Sequence, residues 1–305
     1  MVVSPPVQCL LPHHRQRQRG NDTLVTPVTP TTPSPSSHNV TNSSNQMVLA
    51  YEQPKLSISR RLGYEIVTLI IGKDPNTEPF AVHKNVLRDV GGVFTKMCEE
   101  SPNGSRILMP EEDSEVIKLL IDFAYSDEIP MVSVYADERE KGVELRRLVQ
   151  FYALLEKFDV SYAVRNSVMD CIQNGFYIVG KLPEGPLIQA IYDHSTSESK
   201  LRKFCAVSMV YLLHDPSYVQ DGMIASLINA NDDLMVDFLE AVRLYKHRQD
   251  PRIRHCQSDP RCVECDGSNH LVGKDGVPPC HFHIHEKYQN EQGDIVDGPC
   301  HLWKQ

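Results

Sequence analysis

The regular hydrophobic pattern of the chain begins at Tyr64. YEIVTLIIG is a β-branched run of strand length closed by Gly72, KDPNTE carries turn chemistry, and PFAV reads as a second strand. Together they predict a hairpin. HKNVLRDV and GGVFTKMCEE then switch to helical spacing, as two short helices divided by Gly91 and Gly92, before RILM returns to a third strand ahead of Pro110. In EEDSEVIKLLIDFAYSDEI, Ser114 is the expected N-cap, and Val116, Leu119, Leu120 and Phe123 form the apolar stripe of a longer helix. The stretch from Ser126 to Glu144 is long and charged and carries no strand signal. Helical spacing resumes with Leu145, Leu148, Val149, Tyr152 and Leu155, and again with Val164, Val168, Cys171 and Ile172.

A second helical stretch runs over residues 182–248. EGPLIQAIYDH, SKLRKFCAVSMVYLLHD and DDLMVDFLEAVRLYKHR are its amphipathic segments, punctuated by Pro183, Pro186 and Pro216. Phe204, Cys205, Ser208, Tyr211 and Leu212 form the expected inward stripe of the second, and Leu234, Phe238 and Val242 that of the third. These helices are expected to pack onto the preceding ones; the alternative is a partner groove between them. By contrast, residues 1–58 are rich in Pro, Ser and Thr and show no period, so they are expected to form a disordered leader. It holds Ser-Pro and Thr-Pro pairs at Ser4, Thr26, Thr29, Thr32 and Ser34.

Composition narrows the function. The chain has 305 residues, 41% of them hydrophobic, enough for a sizeable core. A formal charge of -9 and a pI near 5.8 argue against a phosphate-binding surface, so nucleic acid is not an expected partner. No apolar run is long enough for a membrane span, and the N-terminus has no signal-peptide core; the expected location is intracellular, in nucleus or cytoplasm. Nine cysteines in such a chain do not suggest a disulfide framework. Cys98, Cys171 and Cys205 read as small core residues.

The remaining chemistry lies in residues 250–305. CHFHIH, Cys280 to His285, would place His281, His283 and His285 on one face if it were a strand, with Phe282 and Ile284 on the other. Cys262 and Cys265 form a C-x2-C pair and Cys280 with His283 a C-x2-H pair, the two-knuckle arrangement of a closed, structural zinc site. Alternate ligands are His255, Cys256, His281, His285, Cys300 and His301. A catalytic metal centre and a segment without specific metal are the competing readings. The chain has no H-E-x-x-H, G-x-x-x-x-G-K-[ST] or G-x-S-x-G motif, so enzyme readings elsewhere lack their parts.

Over residues 64–177 the ordered blocks resemble a BTB/POZ domain, most like those of the fungal BTB proteins. EIVTLIIG resembles the family's first strand, with Glu65 at its acidic position. FAVHKNVL resembles its F-x-V-H-K-x-x-L block, matching Phe80, His83, Lys84 and Leu87, and Phe94 fills the next aromatic position. LMPEEDSEVIKLLIDFAY resembles the Leu-Pro-acidic turn and the helix ending in aromatics, here Phe123 and Tyr125, and LEKFDV resembles the family's A-D-K-Y-x-V. Gly91 stands where the family usually has serine, which removes a helix cap. The resemblance implies an α/β (α+β) fold with a small sheet flanked by helices. It also implies a non-enzymatic protein-interaction module, commonly a homodimer, that serves as a substrate adaptor for cullin-type ubiquitin ligases or recruits transcriptional corepressors. A metal-dependent enzyme built on the tail is the alternative of another class.

Overall fold

The computed structural model describes residues 61–214, 221–245, 249–254, 276–278, 280–289 and 293–298. The expected leader, residues 1–58, lies outside them. The expected hairpin forms: β1 (Ile66–Ile71) pairs antiparallel with β2 (Glu78–His83), Leu69 opposite Phe80. The third strand, β3 (Arg106–Met109), lies on the other side of β1 and parallel to it, in the order β2-β1-β3. A parallel neighbour needs a crossover. Helices α1 (Lys84–Val90) and α2 (Val93–Glu100) supply it. Strand alternation sends Val67, Leu69, Ile71, Val82, Ile107 and Met109 into the core. It turns Ile66, Ile70 and Leu108 to the opposite face, where Leu108 is 70% exposed.

The cap removed with the family's serine is replaced from elsewhere in the fold. At the start of α2 the Val93 N–H donates to the carbonyl of Phe158, at 2.8 Å. Gly92 precedes it with φ 58°, and a Cβ there would meet the same carbonyl oxygen at 2.2 Å. Only glycine allows that approach. Phe94 then stacks on Phe158 with ring centroids 4.6 Å apart.

Helix α3 (Ser114–Ser126) is capped by Asp113, whose carboxylate accepts from the Glu115 N–H, rather than by Ser114. Helix α4 (Glu138–Lys157) begins seven residues before its apolar stripe, because the Asp137 carboxylate caps a charged first turn at Glu140. Helix α5 (Tyr162–Val179) starts at the Ser161 cap and stops at left-handed Gly180. Its predicted inward residues Val168, Cys171 and Ile172 are buried.

Four helices follow: α6 (Gly185–His194), α7 (Lys200–Leu213), α8 (Asp221–Ala230) and α9 (Asp232–Leu244). The sequence pattern showed no separate helix at α8. Helix α7 buries Phe204, Cys205, Ser208 and Leu212 of the stripe expected on it, and its burial extends beyond that stripe. α6, α8, α9 and β4 (Asp250–Arg254) pack around it and bury it from Leu201 to Val210, apart from Lys203. On α9 the inward stripe is Leu234, Phe238 and Ala241, continued by Tyr245; Val242 is 45% exposed, contrary to the pattern. No helix among the described residues is long and apolar enough to cross a membrane.

The tail is built from short strands. β4 pairs in parallel with β5 (Gly276–Val277), and β6 (Lys287–Gln289) pairs antiparallel with β7 (Ile295–Asp297). Between the pairs, Phe282 is 0% exposed and meets Phe204 of α7 edge-on at 5.2 Å, while Phe204 also meets Phe176 of α5 at 5.3 Å. Phe282→Ala should therefore cost about 3–5 kcal/mol in urea denaturation. Tyr288→Ala, on exposed β6, should change stability by no more than about 0.5 kcal/mol. Equal effects of the two would mean that the tail does not share the core.

Candidate functional site

Helix α5 carries polar side chains on a face that the fold buries. Asn166, Asp170, Gln173 and Asn174 recur at i, i+4, i+7 and i+8, which places them along one side of the helix. Each one holds the tail. Asn166, 0% exposed, donates to the Ile284 carbonyl at 2.8 Å and accepts from the Ile284 N–H at 2.7 Å. Gln173 donates to the Pro251 carbonyl at 2.8 Å, and Asn174 accepts from the Arg254 guanidinium at 3.0 Å. Asp170 takes an ion pair from Arg254 and a contact of 3.0 Å from Nε2 of His283. Burial by itself would raise the Asp170 carboxyl, but Arg254 and His283 hold it below its ordinary value.

Next to Asp170 the tail brings three metal-ligating side chains together. Cys280, His283 and His285 each offer one donor atom, and these atoms lie within 4.8 Å of one another. The group could hold a metal ion. CHFHIH is not a strand here. A turn closes from His283 N–H to the Cys280 carbonyl at 3.1 Å, and the next strand begins only at Lys287. The turn breaks the period of two, so the three histidines do not share a face: His281 stands outside the group, beside Phe282 and Tyr245. Burial, with Lys203 and Lys200 nearby, pushes the His281 imidazole down to about 4, and its Nε2 is buried without a hydrogen-bond partner. Of the other expected ligands, His255, Cys256, Cys262, Cys265, Cys300 and His301 lie outside the described residues.

The residues singled out in the strand–helix blocks occupy structural positions. The phenol oxygen of Tyr125 accepts from the His83 N–H at 3.1 Å and lies 2.7 Å from its Nδ1, tying the start of α1 to the end of α3. Lys84 is buried; its ammonium donates to the Ser101 carbonyl and lies 3.7 Å from the Glu65 carboxylate. Leu87 and Phe94 are core residues, Phe123 meets Phe151 edge-on at 6.3 Å, and Phe80 lies under the Lys118 ammonium at 5.7 Å. None of them forms a catalytic constellation; they hold the sheet to its helices. Sequence reasoning missed Asn166, Asp170, Gln173 and Asn174, although their helical spacing was a readable signal.

Residues 67–174 match the family model of the BTB/POZ domain. No curated protein matches the chain.

Asn166→Ala should destabilise the protein by about 2–4 kcal/mol, since it strands two backbone groups of Ile284 at about 1–2 kcal/mol each. Amide exchange at Ile284 should accelerate with it. A loss below about 0.5 kcal/mol in chemical denaturation would show that the Asn166 bonds do not hold the tail.

Proposed function

We propose, on the premise that residues 67–174 are a BTB/POZ domain, that this chain is a recruiting protein that pairs with a second copy of itself and delivers a bound protein to a cullin-type ubiquitin ligase. The domain match carries this reading, since a BTB domain is a protein-interaction module and the family is generally non-enzymatic. The face of the β2-β1-β3 sheet opposite the core supports it. Ile70 and Leu108 are cross-strand neighbours there, with Ile66 farther along β1, and exposed apolar side chains on a sheet face are suited to a partner. The formal charge of -9 favours protein partners over nucleic acid. The Cys/His tail is read as structural: one zinc ion, with Cys280 and His283 among its ligands, would fasten the tail rather than perform chemistry.

Sedimentation of the full chain should give a mass rising from 34.6 kDa towards about twice that value with concentration. Leu108→Glu, which leaves the buried sheet face intact, should weaken self-association about tenfold or more, or about 1.4 kcal/mol. A chain that stays monomeric throughout would refute the homodimer. For the partner, a purified cullin N-terminal region should be retained by the full chain; retention of a corepressor fragment in its place would overturn the ligase assignment.

Elemental analysis of the purified chain should return about one zinc per polypeptide, and chelation should lower its thermal midpoint. A chain purified without metal that binds none when zinc is added would remove the zinc reading.

A further inference from the structure

The donor group in the tail sits on a prepared support. Phe282 lies between Cys280 and His283 in sequence and is wholly buried, so the segment is anchored in the core. Two residues on, Asn166 fixes the backbone of Ile284 from both sides. The ligands on either side of these anchors have little freedom left to lose. That is the condition under which binding spends least of its free energy on ordering the site.

Geometry and donor chemistry agree with a borderline-soft cation. A tetrahedral metal with bonds of about 2.0–2.3 Å keeps its ligand atoms about 3.5 Å apart. Closing a group whose atoms lie within 4.8 Å of one another therefore takes side-chain rotation of about an ångström. One thiolate and two imidazoles suit zinc and do not suit calcium or magnesium, which take oxygen. His285 has a buried Nε2 with no hydrogen-bond partner, a penalty that metal binding at that ring would remove. His283 is 4% exposed and meets Asp170 through Nε2 at 3.0 Å, so with the carboxylate on that nitrogen, ligation of a metal would fall to the other.

Resting on the zinc reading above, we propose that the protein ligands of the ion are Cys280, His283 and His285, and that Asp170 of α5 is the positioning carboxylate that orients His283. The metal then clasps the tail to a helix that begins within the BTB/POZ domain. Asp170 is the residue through which the two communicate, since a carboxylate on the second nitrogen fixes the tautomer and orientation of a ligating imidazole. Cys262 and Cys265 are dispensable in this arrangement, and the fourth coordination position is filled from outside the three-residue set.

The test is cobalt(II) titration of the metal-free full chain, followed by zinc competition and by the cobalt–thiolate charge-transfer band. One cobalt per chain should bind and be displaced by zinc. Cys280→Ser should abolish the charge-transfer band, and His285→Ala should weaken binding about 100-fold. Asp170→Asn should weaken it about 10- to 100-fold while retaining the band, because the thiolate stays in place. Arg254→Gln breaks the same ion pair from the other side without touching His283, and should retain cobalt affinity; an equal loss in both variants would reduce Asp170 to a structural role and overturn its assignment. The double variant Cys262→Ser, Cys265→Ser should keep both stoichiometry and band. Loss of metal in that double variant, with retention in His285→Ala, would overturn the three-ligand assignment while leaving the zinc reading standing. Failure of the unaltered chain to bind cobalt or zinc would sink both. Circular dichroism of each metal-free variant separates loss of ligand from loss of fold.

Discussion

A side-chain amide buried as completely as that of Asn166 must find partners inside the protein, and the backbone of Ile284 supplies both of them. This exchange fixes where the tail lies. Once Ile284 is held, Phe282 is placed to reach Phe204, and His283 is placed against Asp170. One turn along, Arg254 and Pro251 dock on Asp170, Asn174 and Gln173. A buried polar stripe would normally be a liability in a helix, because each unpaired group costs about 1–3 kcal/mol. Here it is satisfied by a segment distant in sequence, so the helix and the tail specify each other.

The same logic operates at the other end of the molecule in a smaller form. The sheet has one buried face and one that carries exposed apolar side chains, and the residues that look most like a functional motif turn out to secure the buried side. His83 and Tyr125 join α1 to α3, and Lys84 reaches the carbonyl of Ser101. Their role is to make the sheet rigid. What the sheet presents outward includes Leu108, whose neighbours across the strands are also apolar, and this is the surface proposed above for a partner. The group that could hold a metal lies elsewhere, beside α5.

The strands β1 to β3, the crossover helices and the apolar stripes of α3 to α5 are legible in the sequence because each is governed by local chemistry, whereas the short tail strands β4 to β7 carry no such signal. β-branched runs of strand length closed by Gly72, helical spacing of apolar residues, and the acidic turn before Val116 leave few alternatives. The errors have physical causes. Ser114 was a reasonable cap, but Asp113 is one residue nearer the turn and its carboxylate reaches the Glu115 N–H. Val242 was assigned inward by spacing alone, yet α9 is rotated so that Ala241 and Tyr245 face α7. α7 itself is packed by elements from several directions, which no single-helix pattern reveals. The one-face arrangement of CHFHIH depends on its being a strand, and a turn at Cys280 removes that condition.

The sequence by itself determined the hairpin, the order of elements from β1 to α5, the resemblance carried by its blocks, and the concentration of cysteine and histidine at the C-terminal end. It could do so because backbone preference and hydrophobic period act over a few residues. Among the described residues, tertiary structure joined Cys280, His283 and His285 and left His281 apart. It also decided that a polar helix face, unremarkable in sequence, would become the seat of the tail. The reason is that satisfaction of buried polar groups is a long-range condition. Asn166 and Ile284 are 118 positions apart, and only the folded chain brings the amide to its partners.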